Sequence, residues 1–193
     1  MNIVGIFGVS GVGKTAMIDA VLAAEPHWLR ISGGTLIQQI SGTRDRDALR
    51  ALPGEVILEN QIAIVRGVER VRESASAQLI LFDGHLVVDN ILDLVQVPFE
   101  TVRALGLAGI VFVKEVPNVI RARRLGDSSR QRFARTIAQI SREQALALGL
   151  AKRYSSQLNL RLKVFSPQDR DQLQAFLRPF SLPERPFQVK LDP

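Results

Sequence analysis

Residues Gly8-Val9-Ser10-Gly11-Val12-Gly13-Lys14-Thr15 form an unbroken G-x-x-x-x-G-K-T loop, directly after the chain's first apolar run, Ile3-Val4-Gly5-Ile6-Phe7. Few short patterns constrain a fold so tightly. The glycines let successive backbone N–H groups turn toward one point, and an apolar helix (Ala16, Met17, Ile18, Ala20, Val21, Leu22) then aims its positive end at the same point. Such a nest needs a buried strand behind it and a helix in front. The motif therefore predicts the strand–loop–helix unit that opens a parallel α/β sheet. Its centre suits the β- and γ-phosphates of ATP or GTP. Gly8, Ser10, Gly11, Val12 and Gly13 build the cradle, Lys14 carries charge to the phosphoryl oxygens, and the Thr15 hydroxyl is a ligand for Mg²⁺.

Apolar runs alternate with helical patterns along the rest of the chain, the signature of a parallel sheet covered on both faces. Strands are expected over 2–8, 28–32, 78–83, 108–114 and 159–165. Helices are expected over 13–24, 36–40, 53–75, 99–105, 117–126, 133–156 and 168–180. The 53–75 helix keeps apolar residues at Ile57, Leu58, Ile62, Val65, Val68 and Val71. These patterns predict the P-loop NTPase fold: a five-stranded parallel sheet with helices on both faces, carrying small acceptor-binding and lid insertions. Residues 1–181 are read as one P-loop kinase domain. The acceptor insertion spans about 33–75 and the lid about 126–135, and 182–193, with its three prolines, reads as an extended tail.

The composition narrows the partners. A chain of 193 residues with mean hydropathy +0.10 can bury a substantial core. Its uncharged stretches, such as 2–13 and 104–113, fall short of the roughly 20 residues a membrane span needs. The first apolar run has no basic segment before it and reads as a core strand rather than a leader, so no membrane partner is expected. The absence of cysteine removes disulfide and thiolate chemistry and fits a cytoplasmic location. Net charge is +6, from 20 Arg and 5 Lys against 19 acids. Arginine grips phosphate with two parallel hydrogen bonds, although a GC-rich genome gives the same surplus. Arg121, Arg123, Arg124, Arg130, Arg132 and Arg135 fall within fifteen positions, with Asp127 the sole acid among them. That charge would also suit a nucleic acid, but the stretch lacks the series of aromatic side chains that a stacking platform needs.

A second nucleotide element is Leu79-Ile80-Leu81-Phe82-Asp83, four apolar residues ending in a carboxylate that can hold Mg²⁺, commonly through water. His85, two positions on, is a candidate for the acceptor site, whereas His27 reads as structural. A phosphate acceptor is already an anion and needs no strong base; a hydroxyl acceptor needs a carboxylate, and water needs orienting. Many arginines near the lid, with Asp83 the obvious carboxylate at the strand mouth, favour a phosphate acceptor. Arg124, Arg130 and Arg132 are then the candidate catalytic guanidiniums, beside Lys14. A hydroxyl kinase using Asp83 as base, and an NTPase whose nucleotide state governs binding to RNA or protein, stay open as alternatives.

Several residues together resemble the archaeal-type adenylate kinases and their nuclear eukaryotic relatives, in order, from about residue 2 to 165. They are the P-loop, Gly34-Thr35, Asp45-Arg46-Asp47-x-x-Arg50, Asp83-Gly84-His85, and Arg123-Arg124-Leu125 with Arg130-x-Arg132. The resemblance implies transfer of the ATP γ-phosphate to AMP with Mg²⁺. It would put Gly34, Thr35, Arg46, Arg50 and His85 at the acceptor and Arg130 and Arg132 in the lid. Gln38 and His85-Leu86-Val87 stand where the commoner bacterial nucleoside monophosphate kinases carry an Arg and a Pro-Arg, absences the archaeal-type group shares. Residues 86–95 are apolar and acidic, which leaves the acceptor base open.

Overall fold

The computed structural model describes residues 1–41, 54–90, 93–127 and 134–182. Strand β1 (Asn2–Phe7) has no charged residue and is buried from Ile3 onward. The P-loop follows, and then helix α1 (Lys14–Ala24), which buries Met17, Ile18 and Val21 on one face. Next come β2 (Trp28–Ser32), α2 (Gly33–Ser41), α3 (Gly54–Ser74) and β3 (Leu79–Asp83). A short hairpin, β4 (Val87–Asp89) with β5 (Leu94–Gln96), leads to α4 (Phe99–Ala104) and β6 (Gly109–Val113). The chain then forms α5 (Pro117–Gly126), α6 (Ile137–Gln157), β7 (Arg161–Phe165) and α7 (Arg170–Ser181).

Five strands make one parallel sheet in the order β2-β3-β1-β6-β7. In β1, β3 and β6 almost every consecutive residue is buried, so both faces of the sheet are covered, as parallel pairing requires. Each large side chain sealed there, such as Phe7, Ile80 or Phe112, contributes about 1.5–3 kcal/mol. Helices α1 and α7 pack on one another beside β1, and α6 lies along β6 and β7. The Asn2 side chain ties the two ends of the fold together by donating to the Phe180 carbonyl at 2.9 Å.

The chain leaves β1 for β2 and β3 on one side and then crosses to β6 and β7 on the other. A crevice opens at the carboxyl ends of the strands at such a reversal. The register puts Asp83 opposite Ile6, so the third-strand carboxylate stands beside the P-loop.

Three expectations change. Helix α2 begins at Gly33, directly on β2, rather than at 36 after a polar loop. Val87–Asp89 and Leu94–Gln96 pair as a hairpin that no periodic pattern announced, and its strands are three residues each, too short to leave one. Helix α6 starts at Ile137, not 133, because Thr136 accepts from Gln139 N while Gln139 reaches back to Thr136 N, a closed capping box. In α3 the buried stripe is Ile57, Gln61, Ile64 and Val68, leaving Leu58 and Ile62 exposed. Among the described residues, no helix is long and apolar enough to cross a membrane.

Candidate active site

A cleft of about 530 Å³ lies at the crevice, floored by the P-loop and walled at its far end by α2, α3 and α4. The loop takes its shape from two glycines. Gly11 (φ 77°) and Gly13 (φ 110°) adopt conformations that other residues rarely take. A Cβ on Gly11 would lie 2.9 Å from Arg124 Cγ, and one on Gly13 3.1 Å from Pro167 Cγ, so the space is closed as well as the backbone turned.

Lys14 is buried within the loop it serves, and its Nζ donates to the Gly8 carbonyl at 2.8 Å. The same carbonyl meets His85 Nδ1 at 2.8 Å. A carbonyl can only accept, so Nδ1 carries the hydrogen there. Thr15 Oγ1 and Asp83 Oδ2 stand 3.5 Å apart, the two groups expected at a metal. A hydroxyl and a carboxylate, both hard oxygen donors with room for water around them, suit Mg²⁺.

The structure brings together Lys14, Thr15, Asp83, His85, Gly34 and Thr35 around this one cleft. Arg46 and Arg50, expected at the acceptor, and Arg130 and Arg132, expected in the lid, lie outside the described residues. Arg124 is a correction. Its side chain is 6% exposed and lines no part of the cleft; Nε donates to the Ser10 carbonyl at 2.9 Å and Nη2 to Glu143 at 2.8 Å. It stands behind the P-loop, because Ile120 and Arg124 are one helical turn apart and α5 buries that face.

Arg123 faces the cleft in its place. Its Nη1 donates to the Val12 carbonyl at 2.7 Å and its Nη2 to Glu115 at 3.2 Å. Sequence reasoning also missed Asn60, Gln61 and Thr101, which add polar groups to the otherwise apolar far wall of Ile57, Ile64 and Phe82. The signal for Gln61 was present: an amide one turn after Ile57 and three residues before Ile64, inside an apolar stripe. Such a chamber, apolar with a few amides, is suited to a flat heteroaromatic ring.

Comparison with known proteins agrees with this arrangement. A family model described as an AAA domain matches residues 7–141. The adenylate kinase of Pyrococcus horikoshii is 30% identical over 168 residues, covering 84% of this chain and 84% of that one. Its counterpart from Pyrococcus abyssi is 29% identical over the same length and shares. Among solved structures, the shikimate kinase of Bacteroides thetaiotaomicron superposes with a TM-score of 0.56 at 16% identity, over 94% of this chain and 99% of the other. That of Acinetobacter baumannii gives 0.57 at 13% identity, over 93% and 92%. These structures share the P-loop NTPase fold.

Proposed function

We propose, on the premise that this chain belongs to the AAA-domain family of P-loop kinases, that it is a nucleoside monophosphate kinase acting on AMP. That it is an ATP-dependent phosphotransferase follows from the family; the acceptor is our reading. One observation carries it. A phosphate cradle with Lys14, Thr15 and Asp83 opens without a break into a chamber, lined by Ile57, Ile64 and Phe82 with Asn60 and Gln61, that suits a base. The adenylate kinases of two Pyrococcus species align over most of the chain and support the choice of AMP.

In this reading the backbone N–H groups of the P-loop and Lys14 hold the β- and γ-phosphates of ATP. Thr15 and Asp83 would hold Mg²⁺, which would supply neutralisation of charge on the phosphoryl oxygens. An oxygen of the AMP phosphate attacks the γ-phosphorus as the bond to the β-bridging oxygen breaks, giving two molecules of ADP. The nucleophile is already ionised, so no base is required. Catalysis is then positioning and charge neutralisation. Arg123 faces the donor side, and we assign Arg130 and Arg132 to the transferring phosphoryl group and Arg46 and Arg50 to the acceptor phosphate.

A second reading, transfer to a hydroxyl, draws on the same carboxylate, since Asp83 with His85 nearby could receive a proton. One experiment separates the two. ATP and Mg²⁺ are incubated with nucleoside monophosphates, nucleosides and simple sugars, and products are followed by ³¹P NMR. Rapid ADP formation dependent on AMP is expected. A phosphorylated sugar or nucleoside, or free phosphate with no phosphorylated acceptor, would overturn the assignment.

A further inference from the structure

Behind the P-loop, outside the cleft, two carboxylates and two guanidiniums meet in the interior. Arg124 lies 2.8 Å from Glu143, and Asp89 lies 3.6 Å from Arg124 through one oxygen and 2.8 Å from Arg135 through the other. Asp89 and Glu143 are 9% and 3% exposed. Arg135 grips Asp89 with two nitrogens, Nε at 3.1 Å and Nη2 at 2.8 Å, and its Nη2 also reaches the Asn90 carbonyl at 2.6 Å. Arg124 Nε completes the chain of contacts at the Ser10 carbonyl. The P-loop, the end of α5, the β4–β5 hairpin and the residue before the α6 cap are thereby joined at one point.

A buried ion pair adds little net stability over a well-packed apolar replacement, so what such a cluster offers is fixed geometry. The geometry here has a direct consequence. In a planar trans peptide the carbonyl and the following N–H point opposite ways. Holding Ser10 C=O back toward Arg124 therefore turns the Gly11 N–H forward, into the phosphate cradle. Asp89 is the member that reaches both arginines, and it sits on the hairpin beside the cleft, whose wall is lined in part by Val88 and, just past the hairpin, Val97; in the kinase reading this is the acceptor side.

We propose that Asp89 is a positioning residue for the phosphate-binding loop. It sets Arg124 and Arg135 in one register, Arg124 sets the Ser10 peptide, and donor affinity thereby depends on the state of the acceptor-side hairpin. The donor half of this inference needs only ATP binding; the acceptor half rests on the kinase reading above.

The test uses Asp89→Asn and Arg135→Gln in the full chain, singly and combined. The Kd for a non-hydrolysable ATP analogue with Mg²⁺ is measured by calorimetry well below each variant's unfolding midpoint. Each single change should raise that Kd about tenfold, within the usual range of coupling between sites. The double variant should be no worse than the weaker single, because both cut the same link. A folded Asp89→Asn protein that binds the analogue within about twofold of the parent overturns the proposal, whatever its midpoint; so do fully additive effects. Should Asp89→Asn not fold, Arg135→Lys keeps the charge, loses the two-nitrogen grip and is judged by the same Kd. Repeating the titrations with AMP tests the hairpin. AMP should tighten the analogue several-fold in the parent and not in Asp89→Asn, and an effect that survives the substitution overturns that link. A parent that binds the analogue but neither binds nor phosphorylates AMP defeats the acceptor assignment instead, and the Kd without AMP still decides the role of Asp89.

Discussion

Lys14 and Thr15 were legible in the sequence because a P-loop leaves its residues no choice of place, and Asp83 because it ends an apolar run that pairs beside the P-loop strand. The arginines were not, because six within fifteen positions cannot be ranked by spacing alone. The face of α5 marked by Ile120 would have sent Arg124 inward and Arg123 toward the cleft. Two predictions belong at this scale. Gly11→Ala forces a Cβ to 2.9 Å from Arg124 at a φ of 77°. It should destabilise the fold by about 1–3 kcal/mol and weaken ATP binding, read by denaturant unfolding and calorimetry. Arg130→Ala and Arg132→Ala should each lower transfer by about 10²-fold with a much smaller change in ATP affinity. Full turnover in both variants would remove them from the transferring phosphoryl group.

Elements with strong periodicity or a buried apolar run stood out in the sequence, and those without did not. The five parallel strands emerged within a residue or two, whereas the β4–β5 hairpin had too few residues to show a pattern. The start at 133 expected for α6 lies four residues early, and the deciding signal is Thr136 with Gln139 three residues on. Replacing Thr136 by Ala should therefore cost about 1 kcal/mol in unfolding free energy, with the fold kept. Helix α7 makes a separate, pH-dependent contribution. Gln174 donates to Glu25 at 2.7 Å and holds its carboxyl below the ordinary value, with Arg178 acting in the same direction. A carboxyl depressed by folding adds stability above its unfolded value and loses it as pH falls through the folded one. Gln174→Leu should accordingly flatten the acid limb of the stability curve, a change visible in thermal melts from neutral pH downward.

Over the whole molecule, the sheet order places the two nucleotide elements side by side, and binding should therefore stabilise the fold as a unit. ATP with Mg²⁺ at a hundred times its Kd should add about 2.7 kcal/mol to the unfolding free energy. Chelating the metal should remove much of that gain if Thr15 and Asp83 hold it, and a gain indifferent to chelation would mean that they do not. The acceptor is set at a finer scale, since the sheet order fixes only where the P-loop and Asp83 stand. What favours a monophosphate is local: the apolar chamber and its amides.

The oxygen of Gly8 receives two hydrogens, one from an ammonium and one from an imidazole. An arriving triphosphate should draw the first away and leave the second in place, so that the turn keeps one of its two supports. The receptor is thus cut to shape before its guest appears, and occupancy exchanges one bond instead of rebuilding a bend. A protein lacking the imidazole should accept the same guest more slowly, as a lock whose tumblers must first be set.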